Sequence, residues 1–96
     1  MKVLDVFLIS VPVAPSQVSV TTIMETSLQV SWSQSDPLDL ILQYMVQVKS
    51  GAGDWEQVND TIQGSSVLVK NLKSFTVYSF RVRAENGLGT SLFSQP

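Results

Sequence analysis

The chain has 96 residues, 44% of them hydrophobic and 15% charged, with a formal net charge of −2; that is enough apolar material for one core and too apolar for a disordered segment. It contains neither histidine nor cysteine, which removes the commonest general base, thiol chemistry, disulfides and Cys-based metal sites while leaving the redox compartment open. The slight acidic balance argues against nucleic acid as a partner, and nothing approaches the roughly 18 apolar residues a membrane helix needs.

Met1 to Ser10 is apolar but does not read as a secretory signal. Asp5 interrupts it, Val6 to Ile9 is too short, and no small-residue cleavage pattern precedes Pro12. The expectation is the last strand of a preceding domain, and an apolar strand of that kind needs cover from its own domain or from a second copy. A weak homodimer through residues 1–10 is the corresponding self-association reading. Val11 to Ser16 carries Pro12 and Pro15, which donate nothing to a ladder and read as a stiff domain entry rather than a presented PxxP ligand. Residues 1–14 are therefore assigned to an extension or linker, and 15–96 to the folded domain.

From Gln17 onward, short alternating runs follow one another with turn residues between them, the habit of an all-β sandwich. Val18, Val20 and Ile23 are expected to point inward from the first run. In the second, Leu28, Val30 and Trp32 alternate with Gln29, Ser31 and Ser33, and Trp32 is the expected core anchor. Asp36-Pro37 sets a turn. Leu40, Leu42, Tyr44, Val46 and Val48 form the next inward set, which puts Ile41 and Met45 on the opposite face. Leu38, Ile41 and Met45 together are a candidate partner contact. Ser50 to Gly53 is a tight connection, and Trp55 and Val58 lie within reach of a sheet surface. Asn59-Asp60-Thr61 fits the N-glycosylation acceptor pattern.

Val67, Val69 and Leu72 resume the inward pattern before the clearest run of all. Across Val77 to Glu85, Tyr78, Phe80, Val82 and Ala84 fall on one face, with Ser79, Arg81, Arg83 and Glu85 on the other. Asn86-Gly87 and Gly89 then turn the chain into a last strand, Thr90 to Ser94. Arg81 and Arg83, joined by Lys49 from a neighbouring strand, are a second candidate contact. Glu85 and Glu56 are expected to neutralise them at little energetic gain.

Taken together, Pro15, Leu28 to Trp32, Pro37, Tyr44 to Val46, Trp55, Leu72, Tyr78, Val82, Ala84, Asn86 and Gly89 resemble a fibronectin type III domain over Pro15 to Pro96. The resemblance implies an all-β, seven-stranded antiparallel sandwich of immunoglobulin-like architecture, with Trp32, Tyr44, Leu72, Tyr78 and Val82 in its core. It also implies a tyrosine corner in which the Tyr78 hydroxyl bonds to upstream main chain. Ser74 stands where the family often has proline. Asn86 to Thr90 lacks an Arg-Gly-Asp loop, and there is no Trp-Ser-x-Trp-Ser box.

The implied role is a non-catalytic interaction or spacer module of a multidomain adhesion- or receptor-type protein, with an unidentified protein partner and adjoining domains. The alternative within the family is an intracellular, muscle-type scaffold; the sequon and family habit favour an extracellular place. Catalysis finds no support: Asp36 and Asp39 share a loop with no cleft around them, and no serine has a histidine to activate it. No cofactor or metal is implied.

Overall fold

The computed structural model describes residues 10–96 of the chain. Its strands, in order, are β1 (Ser16–Met24), β2 (Ser27–Ser33), β3 (Gln43–Ser50), β4 (Glu56–Gln57), β5 (Ile62–Gln63), β6 (Ser66–Val69), β7 (Tyr78–Asn86) and β8 (Gly89–Thr90). Two four-stranded antiparallel sheets form the sandwich, one ordered β1-β2-β6-β5 and the other β4-β3-β7-β8. Seven of these strands fall on runs the sequence pattern predicts, but β4 is only two residues long and β8 is Gly89–Thr90 rather than Thr90 to Ser94. The chain beyond β8 is held by Ser91 N to Ala84 O and Ser94 N to Val82 O. The eighth, β5, is a two-residue pairing with β6, too short to leave a periodic signature.

The core lies where the alternating runs face each other. Val30, Trp32, Val46, Val67, Val69, Phe80 and Val82 are buried in one cluster, with Val58 at its margin. Leu28, Tyr44, Leu72 and Tyr78 pack against it half-buried. Trp32 meets Tyr44 edge-on, with ring centroids 5.3 Å apart and an interplanar angle of 63°, the arrangement the ring quadrupoles favour. The Trp32 indole Nε1 is buried without a hydrogen-bond partner. Burial raises the pKa of the Tyr44 hydroxyl.

One end of the sandwich is tied by the corner before β7. The Tyr78 hydroxyl accepts the Lys73 main-chain N–H at 2.7 Å. Leu72 N donates to Thr26 O and Gly51 N donates to Val77 O, each at 3.0 Å. Asn71 and Phe75 hold positive φ angles of 62° and 54°, so the turn into β7 stands on two backbone conformations that side chains disfavour. At the other end, the entry segment is docked rather than free. Pro12 and Pro15 are buried, Val13 N donates to Asp39 Oδ2 at 3.0 Å, and Asn86 Nδ2 donates to Ser10 O at 2.9 Å. A PxxP ligand therefore is not displayed. Gly89, at φ +149°, lies so close that a Cβ there would meet Val11 Cγ1 at 3.2 Å. The readings that rest on Met1 to Ile9, the preceding-domain strand and pairing of two copies through residues 1–10, lie outside the described residues.

Two expectations for the core need correction. Val20 and Ile23 remain 47% and 52% exposed, leaving Val18 as the β1 residue packed on the core. Val20 does stand opposite Val30, on the inner side. But β1 is an edge strand with register shifts between Ser16 and Ser19 and between Thr22 and Met24, and a residue at a sheet margin is covered from one side only. Leu40 and Leu42 are likewise exposed, at 52% and 70%. The ladder between β3 and β7 ends at the pair Gln43 and Glu85, so the inward parity of the run has no second layer to face before Gln43.

Candidate functional site

The outer face of the β4-β3-β7-β8 sheet concentrates the unusual chemistry. Residues on β3 and β7 pair Tyr44 with Ala84, Met45 with Arg83, Val46 with Val82, Gln47 with Arg81 and Lys49 with Ser79. Since successive residues alternate between faces, burial of Val46 and Val82 turns Met45, Gln47 and Lys49 outward beside Arg81 and Arg83. The sheet's order brings Trp55, which precedes β4, to one side of this strip, and Phe93, which follows β8, to the other.

These side chains interleave as a ladder. The Lys49 ammonium lies 5.0 Å from the Trp55 ring centroid, and the Arg81 guanidinium carbon 4.3 Å from the same ring. Arg81 also stacks on Phe93 at 3.9 Å, and Arg83 stacks on Phe93 at 4.8 Å. Each ring thus serves two cations. Arg81 is fixed further by Nε and Nη2, which donate to Gln47 Oε1 at 2.8 and 2.6 Å. Arg83 Nη2 points at the Met45 thioether, 3.7 Å away, a weak acceptor, and its buried Nε has no hydrogen-bond partner.

Among the described residues, neither of the two carboxylates expected to neutralise this strip is hydrogen-bonded to its cations. Glu85 shares the outer face, next in the row after Arg83, and accepts Gln43 Nε2 at 2.6 Å. Glu56 stands opposite Val48, so it has the parity of an inward residue at the sheet margin, not that of Arg81. The hydrogen bonds of the two arginines go instead to Gln47 and Met45.

Of the apolar candidates, Ile41 and Met45 line one open groove of about 580 Å³, which Asn59 also borders. Leu38 stands apart from that groove. It is 87% exposed on a turn closed by Leu38 N to Asp36 Oδ1 at 2.9 Å and by Asp39 N to Asp36 O at 3.0 Å. Asn59 is exposed in the link between β4 and β5. A second apolar feature lies at the corner end, where Met24, Phe75 and Val77 are exposed around an open cleft of about 350 Å³ floored by Leu72 and Tyr78.

Sequence reasoning left Phe93 out of the site and gave Trp55 no role in it. Both belong because β3 and β7 are neighbours with β4 and β8 outside them. An aromatic residue just before β4 and another just after β8, with cations at outward positions of β3 and β7 between them, was the available signal.

A family model described as "Fibronectin type III domain" matches residues 13–96. Among curated relatives, the rat "Tyrosine-protein kinase receptor TYRO3" is 39% identical over 83 residues, which are 83% of this chain and 9% of the relative. The zebrafish "Contactin-1a" is 36% identical over 93 residues, covering 88% of this chain and 9% of the relative. Among solved structures, "Titin kinase and its flanking domains" superposes with a TM-score of 0.78 at 34% identity, covering 90% of this chain and 16% of that one. The chain thus spans about a tenth of the length of the two curated relatives.

Proposed function

Because the chain belongs to the fibronectin type III family, we propose that it is a non-catalytic docking and spacer module of a longer adhesion- or receptor-type protein. The observation that carries this reading is the ladder face, where stacked arginines and aromatic rings lie on an open outer sheet surface rather than in an enclosed cavity. Rigid, amphipathic side chains of these types are the ones that anchor protein interfaces. The corner end, with Phe75 and Val77 exposed, is in this reading the surface against which a neighbouring module of the same protein packs. The names of the relatives support an adhesion or receptor setting, and the exposed Asn59 sequon supports an extracellular one. The titin likeness favours a second reading, a structural module of an intracellular scaffold.

Cells displaying the parent protein, with and without this module, provide the test. Adhesion that falls when the module is deleted, at unchanged surface level, supports a docking role. Unchanged adhesion contradicts it. Fractionation of the expressing cells with mass measurement of the recovered protein then separates the two settings: a glycan on Asn59 supports the extracellular one, and recovery of the protein, unmodified at Asn59, from the cytosol supports the scaffold.

A further inference from the structure

We propose that the ladder face binds an acidic, extended polypeptide segment, with Lys49, Arg81 and Arg83 as the row of cations that recognises it. This deepens the docking role proposed above and rests on it. The chain carries six lysines and arginines against eight acids, yet half of those cations stand in one row around two rings. Set against Glu85, the carboxylate that shares the outer face of β7 with them, the three cations still leave the face positive, the opposite sign to the molecule as a whole. Cations stacked this closely repel one another, and the rings return only about 0.5–1 kcal/mol for each exposed contact. An arriving anion relieves that repulsion.

The hydrogen-bond inventory points the same way. Arg83 Nη2 faces a thioether where a carboxylate would form a charge-assisted bond. The guanidinium planes are already held against the rings, so little side-chain entropy remains to be lost on binding.

Two features favour a polypeptide over a sulfated polysaccharide. Arg81 and Arg83 sit at alternate positions of one strand, about 6.8 Å apart, which is also the repeat between alternate side chains of an extended peptide. The cations are set among Trp55, Phe93 and Met45, and this mixture of aromatic, methionine and arginine is the composition enriched at protein interfaces. A sulfated chain needs the charges without the apolar setting.

The test is direct titration of the 96-residue chain with a short peptide carrying glutamate at alternate positions, its glutamine counterpart, and a heparin oligosaccharide. The glutamate peptide is expected to bind, to weaken steeply with added salt, and to lose about tenfold in affinity for Arg81→Gln or Arg83→Gln. The glutamine peptide is expected not to bind. Should an arginine variant fail to fold, Lys49→Gln and amide-shift mapping of the unaltered chain replace it, with shifts expected on β3, β7 and Phe93. Heparin bound in preference to the peptide, binding insensitive to these substitutions, or no binding at all would each overturn the proposal. If the peptide does not bind but deletion of the module still abolishes adhesion, the docking role stands and only its ligand is wrong.

Discussion

The two faces of β7 make the most instructive comparison in this molecule. Phe80, Val82 and Ala84 are almost fully buried, while Arg81 and Arg83, one residue away on the same strand, stack on rings at the surface. The inner row is held by a second sheet and contributes stability through area removed from water. The outer row has no second layer. Its contacts are with neighbours on its own sheet, each worth little alone, so it is free to serve recognition. One strand therefore divides the work of the domain by parity.

The largest break in that division is expected from the inner side. Trp32→Ala empties the centre of the cluster and should cost about 3–5 kcal/mol, read as a fall in the denaturant midpoint with an unchanged slope. The loss of the orphaned indole N–H places the result towards the lower end of that range. Next comes the corner that leads into β7. Tyr78→Phe removes the acceptor for Lys73 N while keeping the packed ring, and about 1 kcal/mol is expected, checked in the same way.

The smallest effect concerns pH. Burial holds the Tyr44 hydroxyl in its protonated form beyond its ordinary range. Folding therefore gains from Tyr44 in full below the unfolded value of about 10. That gain is lost as pH rises from there through the folded value, because the unfolded chain ionises first. Stability measured across that alkaline window should fall less steeply in Tyr44→Phe than in the unaltered chain. Equal slopes would remove Tyr44 from the account.

The same parity explains what the sequence discloses. The inward residues of β2 and β7 are legible because both strands lie inside a sheet and opposite another, so alternation and burial coincide. In β1, Val20 has the right parity and remains exposed, since burial there depends on the sheet margin, which periodicity does not encode. Leu40 and Leu42 continue the β3 alternation past the last cross-strand pair and are exposed for a related reason. The candidate site was half visible. Arg81 and Arg83 announce an outward row, but its partners come from Trp55 and Phe93, far apart in the chain and joined only by strand order. Glu56 reads from the sequence as a neutralising partner, and its pairing with Val48 gives it the other parity.

The central claim, that β7 separates stability from recognition by parity, is tested most directly by equilibrium unfolding of the double variant Arg81→Gln and Arg83→Gln. Loss of the three cation–ring contacts these arginines make is expected to cost about 1.5–3 kcal/mol in all, at or below the bottom of the range for Trp32→Ala. A loss as large as that of Trp32→Ala would mean that the outer row holds the fold together, and the division of labour along β7 would be wrong.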